Sequence, residues 1–184
     1  MTRDRSRQVS SSIDISLLTE SVPPVQTDSE SSWQIPGWIK HAQTLLDSYR
    51  HWLGHELVDR NGSHESQSQR LFHADFIVVS HTADKDPLLS YANAAALNLW
   101  EMDVNTLLKT PSRLTAEPVH RDERARLLTQ SATHGYVNDY SGIRISATGR
   151  RFRIEKATIW NLIDESGNFA GQAATFRHWH TLDG

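Results

Sequence analysis

The chain contains no cysteine among its 184 residues. Disulfide bonds, thiolate metal sites, cysteine nucleophiles and cysteine-linked chromophores are therefore excluded. No apolar run approaches the roughly 18 residues that a membrane-spanning helix needs, so we expect a cytoplasmic protein with no membrane partner. The net charge is only -3, which gives no general attraction to nucleic acid, and we expect no nucleic-acid partner either.

Hydrophobic residues are also scarce, at 38% of the chain. The globular average is about 45–50%, so we expect part of the chain to stay outside the core. Residues 1–32 fit that description, because they are rich in serine, contain Pro23-Pro24 and lack aromatic residues. The sequence therefore predicts a disordered Ser-rich tail over residues 1–32, followed by one domain.

Residues 33–62 show the spacing of an amphipathic helix. Pro36 is favoured at a first helical position, and Asn61-Gly62 suits a helix stop. The apolar side chains on one face of this helix include Trp38, Leu45, Tyr49 and Trp52. Such an aromatic stripe does not stay exposed to water. We predict that it forms an interface, either with the outer face of its own sheet or across a homodimer.

Residues 63–184 are predicted to form the core domain. Apolar runs predict strands over 76–80 and 88–92, and the alanine-rich segment from Asn93 to Trp100 predicts a helix. Asp103 suits the cap of a short helix, and a charged helix is predicted from Pro118 to His134. Three long strands are predicted over 136–147, 151–163 and 169–179. This order indicates an α+β fold with an antiparallel sheet of about five strands and helices on one side.

The second long strand alternates between apolar and charged residues. Its apolar positions, which we predict to share one buried face, are Phe152, Ile154, Thr158, Trp160 and Leu162. The basic residues nearby, which could bind a phosphate, are Arg144, Arg150, Arg151 and Arg153. Asp139 and Glu155 interrupt this cluster, which favours ion pairs across strands on an exposed sheet face.

Short blocks of residues occur in a fixed order along the core. They include Phe76-Ile-Val-Val-Ser-His81, Tyr91-Ala-Asn-Ala-Ala-Ala-Leu97, Trp100-Glu-Met102, Gly149-Arg-Arg-Phe-Arg153, Trp160-Asn161 and Gly171-Gln-Ala-Ala174. Together these blocks resemble the MEKHLA domain family, which is regarded as related to the PAS fold, over residues 36–180. The family occurs as stand-alone bacterial proteins, the type that this chain resembles, and as the C-terminal domain of plant homeodomain–leucine-zipper transcription factors.

The resemblance implies a non-catalytic sensory or protein-interaction module in signalling, with a homodimer or an unidentified protein as its partner. PAS-like domains commonly hold a small molecule between sheet and helices, which implies a candidate pocket lined by Tyr91, Asn93, Trp100, Phe152, Trp160 and Gln172. The alternative is that these side chains fill a small core and that Asn93 caps the following helix, and their strand-like spacing favours this alternative. A sensor with a non-covalent ligand and a small-cavity enzyme are the alternative functions.

The sequence does not identify a cofactor. Flavin-binding relatives carry a glutamine on the last strand; when Gly171 is aligned with their glycine, Gln172 falls one residue early and is expected to point to the opposite face. A heme would need an axial histidine, for which His120 and His134 are the candidates. Flavin and heme therefore stay open without support.

A metal site and an enzyme active site are both disfavoured. His51 and His55 have the four-residue spacing of helical zinc ligands, but they lie on the predicted solvated face, opposite the aromatic stripe. The sequence also lacks a phosphate-binding glycine loop, a nucleophile elbow and a zinc-protease histidine motif. We therefore expect no metal and no catalytic residue.

Overall fold

The computed structural model describes residues 29–116 and 134–182. Residues 1–28 of the predicted tail lie outside the described residues, whereas residues 29–32 belong to a 3-10 helix; the predicted helix from Pro118 to His134 also lies outside them, except for His134. The helices are α1 (Pro36–Leu53), α2 (His64–Phe72), α3 (Ala94–Trp100) and α4 (Val104–Leu107), with 3-10 helices at Ser29–Gln34 and Ser112–Thr115. The strands are β1 (Ile77–His81), β2 (Leu89–Ala92), β3 (Tyr136–Ile145), β4 (Arg151–Ile163), β5 (Phe169–Phe176) and β6 (His178–Thr181).

One antiparallel sheet contains all the described strands. Its order is β2-β1-β5-β4-β3, and β6 pairs with the first part of β4, from Phe152 to Glu155. The predicted α+β class is confirmed. The last predicted strand, over 169–179, is divided at Arg177 into β5 and β6, so the sheet has six strands instead of about five.

Two extra residues in the β3–β4 pair decide which side chains share a face. β3 carries one at Asp139 and β4 carries one at Lys156, on either side of the paired residues Tyr140 and Ala157. Asp139 and Lys156 have positive φ values of 59° and 51°, and each marks a β-bulge. The two bulges compensate each other, so the ladder continues beyond them on both sides.

The bulge in β4 corrects the prediction that Phe152, Ile154 and Trp160 share one face. Phe152 packs edge-on against Trp100 of α3, with ring centroids 5.2 Å apart. Trp160 instead packs edge-on against Tyr49 of α1, at 5.1 Å. One added residue moves the second half of the strand to the opposite side of the sheet. We name the side with Phe152 the inner face and the side with Trp160 the outer face.

α1 covers the outer face of its own sheet. Pro36 stands at the start of the helix, and Gly54, with φ 77°, ends it by donating its N–H to the Arg50 carbonyl at 2.9 Å. The helix is therefore shorter than the predicted 33–62. Its buried apolar residues are Trp38, Ala42, Leu45, Leu46 and Tyr49. No helix in the described ranges is long and apolar enough to cross a membrane.

α2 was not predicted as a separate helix. Its only apolar residues are Leu71 and Phe72 in the last turn, so the sequence has no helical hydrophobic period there. The start of the helix is fixed by a polar cap, because the Ser63 hydroxyl accepts a hydrogen bond from the Ser66 N–H at 3.2 Å. Both apolar side chains are buried, and they anchor α2 to the core.

Hydrogen bonds attach the C-terminal half of α1 to the sheet. The Trp52 indole N–H donates to the Asn161 carbonyl at 2.9 Å, and the Ser48 hydroxyl accepts from the Ile163 N–H at 3.0 Å. Gly135, with φ 80°, lies directly under the Trp52 ring, where an added Cβ would be 2.1 Å from a ring carbon. The aromatic stripe was predicted to pack either on the sheet of its own chain or across a homodimer. In the described structure it packs on the sheet of its own chain.

His41 packs in the N-terminal half of the same interface. Its Nε2 lies 2.9 Å from the Ser80 hydroxyl on β1, and its ring stacks on Tyr91 of β2 at 5.9 Å between centroids. Burial lowers the pKa of His41 to about 4, because the imidazolium would lose its hydration there. Neutral imidazole is therefore the form that packs between α1 and the sheet.

The pH dependence of stability tests this packing. In the unfolded chain His41 takes up a proton near pH 6.5, whereas the folded chain resists protonation until about pH 4, so acid favours unfolding. The stabilisation is fully present above pH 6.5 and is lost as the pH falls towards 4. We expect the free energy of unfolding, measured with urea, to fall between pH 8 and pH 5 by about 2 kcal/mol more in wild type than in His41→Gln.

The exposed His51 on the same helix provides the matched control. His51→Gln should keep the wild-type pH profile, since its imidazole already stands in water. Parallel pH profiles for wild type and His41→Gln would show that His41 is not held neutral by the fold.

Candidate functional site

A cavity of about 70 Å³ lies on the inner face of the sheet. Its apolar lining comes mainly from β1, β4 and β5, through Val79, Ile154, Ile159, Ala174 and Phe176. The polar or amphipathic side chains that line it are His81, Trp100, Ser112, Thr115, Tyr140, Arg144 and Gln172. Apolar walls with a few polar groups are typical of a small-molecule site.

Gln172 enters the cavity from β5. It shares its side of the strand with Ala174 and Phe176, two and four residues further on, and all three line the cavity. Its amide donates to the Asn161 Oδ1 at 3.2 Å. The expectation that Gln172 would point to the opposite face, drawn from the flavin-binding pattern, therefore does not hold for this chain.

Asn161 forms hydrogen bonds on both faces of the sheet. Its side chain accepts from Gln172 on the inner face, while its main-chain carbonyl accepts from the Trp52 indole of α1. Its main-chain N–H donates to the Gly135 carbonyl at 2.8 Å, directly under the Trp52 ring. A change in the cavity at Gln172 thus has a path of two hydrogen bonds to α1.

Tyr140 and Arg144 form a second polar group of the cavity, and sequence reasoning missed it. Both lie on β3, and the Arg144 guanidinium stands over the Tyr140 ring at 5.3 Å and donates to the Tyr140 hydroxyl at 3.1 Å. The sequence holds one signal for this group. Tyr140, Gly142 and Arg144 occupy alternate positions of a strand and therefore share a face.

The expectation of ion pairs across strands holds only in part for the basic cluster: two members form surface ion pairs, but Arg150 pairs with the residue that ends α3 and Arg153 pairs along its own strand. Arg150 lies 3.4 Å from Glu101, and Arg153 lies 4.0 Å from Glu155. Arg144 departs from it, because this half-buried side chain lines the cavity instead of the exposed face. The register explains the difference, since Arg144 lies opposite Phe152, an inner-face residue.

The predicted pocket residues separate into two groups. Trp100 and Gln172 line the cavity, and Phe152 packs behind Trp100. Tyr91 and Trp160 lie on the outer face, under α1. Burial there raises the pKa of Tyr91, so its hydroxyl stays protonated at physiological pH.

Asn93 acts as the predicted helix cap. Its Oδ1 accepts from the N–H groups of Ala96 and Val78, both at 3.1 Å, and its Nδ2 donates to the Phe76 carbonyl at 2.6 Å. The side chain is fully buried. Both ends of the amide are therefore used to join α3 to β1, as the capping interpretation required.

The described residues give no support to a metal or a large cofactor. Within the ranges 29–116 and 134–182, no group of three or more His, Asp or Glu side chains is arranged to hold a metal ion. His134 is exposed, and His120 lies outside the described residues. The cavity has room for roughly five water molecules.

The chain matches the protein family described as MEKHLA domain over residues 39–181. Among curated proteins, the homeobox-leucine zipper protein HOX29 of Oryza sativa subsp. japonica is 29% identical over 143 residues, which are 74% of this chain and 15% of that protein. ATHB-15 of Arabidopsis thaliana is 27% identical over 85% of this chain and 19% of its own length. The chain thus spans less than a fifth of these relatives. They are plant proteins, so the stand-alone bacterial type stays a prediction.

Solved structures show the fold. The PAS domain of a protein from Colwellia psychrerythraea aligns with a TM-score of 0.54 at 9% identity, covering 64% of this chain and 95% of that one. An RNA-binding light-oxygen-voltage receptor aligns with a TM-score of 0.50 at 16% identity, covering 69% and 34%. The PAS-like architecture that the resemblance implied is confirmed.

Replacing Asn93 separates a structural cap from a ligand contact. Asn93→Ala removes three buried hydrogen bonds, and we expect the free energy of unfolding, measured with urea, to fall by about 3 kcal/mol. Asn98→Ala, at an exposed position of the same helix, should change it by less than about 0.5 kcal/mol. Equal, small effects of both variants would contradict the capping role.

Proposed function

We propose that this chain, which belongs to the MEKHLA domain family, is a non-catalytic sensory and interaction module that acts in signalling or regulation in the cytoplasm. In this proposal the cavity on the inner face receives the signal and α1 on the outer face responds to it. The observation that supports it is the position of Asn161, which is hydrogen-bonded to the cavity residue Gln172 and to the α1 residue Trp52.

The packing around Asn161 favours a role in passing a structural change from the cavity to α1, beyond simple burial of the side chain. Trp52 is held at the sheet by its indole hydrogen bond to the Asn161 carbonyl and by the contact of its ring with Gly135. Asn161 and Gly135 are themselves joined, because the Asn161 N–H donates to the Gly135 carbonyl. A net hydrogen bond contributes about 1 kcal/mol, which is similar to typical coupling energies between sites. A modest change at Gln172 is therefore sufficient to alter how α1 is held.

The plant relatives are named homeobox-leucine zipper proteins, but we do not extend DNA binding to this chain. The shared region is less than a fifth of HOX29 and of ATHB-15. What the shared region supports is a regulatory role, in which this domain controls the activity of some other protein unit.

The coupling can be measured at the Trp52 indole. Gln172→Leu removes the amide that donates to Asn161 while nearly keeping the side-chain volume. We expect the indole N–H signal of Trp52, one of six tryptophans, to shift in an ¹H–¹⁵N NMR spectrum, because its acceptor carbonyl moves. Trp52→Phe assigns the signal by deleting it.

Ile154→Val is the control for this experiment. It also alters the cavity lining, but its aliphatic side chain takes no part in the hydrogen bond between Gln172 and Asn161. An unshifted Trp52 signal in Gln172→Leu, or an equal shift in Ile154→Val, would refute transmission through Asn161.

We further propose a homodimer formed through β6. The aromatic stripe of α1 is buried against its own sheet, so a second copy has to use another surface. Among the described strands β6 pairs only with β4, and its Trp179 is 40% exposed. An unpaired strand edge beside an exposed aromatic side chain favours association with another strand.

Sedimentation velocity tests the dimer. We expect a concentration-dependent dimer whose dissociation constant rises about tenfold or more in Trp179→Ser, because interface tryptophans contribute strongly to binding. Phe169→Ser provides the control, since Phe169 is also exposed but lies at the opposite end of the β5–β6 segment. A monomer at all concentrations, or equal weakening by both variants, would contradict this interface.

A further inference from the structure

We infer that the inner cavity binds a small organic carboxylate and that Arg144 holds its charged group. This inference rests on the proposed sensory function, since it names the class of ligand that the same cavity would receive. It is carried by the position of a guanidinium that lines a mainly apolar cavity and has no carboxylate partner among residues 29–116 and 134–182.

The Arg144 side chain is held in place by its own strand. One terminal nitrogen donates to the Ile143 carbonyl at 2.8 Å and the other donates to the Tyr140 hydroxyl at 3.1 Å, while the guanidinium rests over the Tyr140 ring. A guanidinium has five N–H donors, so these contacts leave three for a ligand. The group is therefore oriented before any ligand arrives, which reduces the entropy cost of binding.

Gly142 makes this arrangement sterically feasible. It lies between Tyr140 and Arg144 on the same face of β3, opposite Ile154. A Cβ at position 142 would be 2.2 Å from the Tyr140 hydroxyl and 3.1 Å from an Arg144 terminal nitrogen. Only glycine leaves the space in which the two side chains meet and extend over the cavity.

The charge of Arg144 is not balanced within the described part of the chain. No carboxylate there lies within ion-pair distance of its guanidinium, and none lines the cavity. Its neighbours on the same hairpin, Arg150 and Arg153, each have a glutamate partner. An unbalanced cation next to apolar walls attracts an anion more strongly than one in water does.

The remaining lining decides which anion fits. A guanidinium matches the planar carboxylate with paired hydrogen bonds, and a single cation balances a single negative charge. Beyond Arg144 the wall is apolar, with Ile154, Ile159 and Ala174. A volume of about 70 Å³ suits a short chain. The best match is a monocarboxylate with a small aliphatic body.

Butyrate and its uncharged amide, butyramide, are the probes for this site. We would titrate each into the ¹⁵N-labelled full chain at constant ionic strength and follow the NMR signals of β3 and β5. Butyrate should bind at least about tenfold more tightly than butyramide, because only the carboxylate forms charge-assisted hydrogen bonds. Equal affinities, or no binding of butyrate, would overturn the inference without any variant being needed.

Two arginine variants locate the charge that matters. Arg144→Gln should remove the preference for butyrate over butyramide, while Arg153→Gln, the same charge change on an exposed side chain of the neighbouring strand, should keep it. Loss of the preference in both variants would reveal a general charge effect and refute a site at Arg144. Arg144→Lys should retain only part of the preference, since lysine lacks the planar fork.

The Trp52 indole signal distinguishes this inference from the proposed function. Butyrate binding together with a shift of that signal supports both. Binding without a shift supports the carboxylate site and contradicts transmission to α1. Absence of binding overturns the carboxylate site alone, because the effect of Gln172→Leu on Trp52 does not depend on a ligand.

Discussion

The extra residue at Lys156 in β4 is the constraint on which both faces of this sheet depend. It places Phe152 and Ile154 towards the cavity, and Trp160 towards α1. A non-glycine residue with φ 51° costs on the order of 1 kcal/mol, and the surrounding packing has to hold it there. The compensating bulge at Asp139 restores the register of β3 beyond Tyr140, and Arg144 reaches the inner face because it pairs with Phe152 between the bulges and the hairpin turn.

α1 completes the hydrophobic core on the other side of the sheet. The outer face carries large aromatic side chains, Tyr91 and Trp160, that would be exposed without the helix. The helix supplies Trp38 and Tyr49 as their ring partners, and its end is fixed by the Trp52 indole. The helix is thus part of the folded domain. It is attached to the sheet mainly by apolar packing and by few hydrogen bonds.

Much of the fold could be predicted because local signals agree with tertiary structure. The Asn93 and Asp103 caps both appear where the sequence placed them, since a side-chain oxygen before a helix has few competing partners. The end of α1 was ambiguous, because Gly54 and Gly62 both adopt positive φ. The bulges at Asp139 and Lys156 could not be predicted, since lysine does not favour a left-handed backbone and one aspartate within a strand is too common to mark a bulge. That omission displaced Trp160 from the predicted pocket.

Gln172 and Arg144, the polar groups of the cavity, lie on strands that are connected to Trp52 of α1. Gln172 reaches Trp52 through the side chain and carbonyl of Asn161. Arg144 stands on β3, whose first residue follows Gly135, the residue beneath the Trp52 ring. Because the Gly135 carbonyl also accepts the Asn161 N–H, both contacts of Trp52 are connected through Asn161. In the proposed function, the cavity therefore needs no large rearrangement of the sheet to influence α1, because a single sheet separates the two.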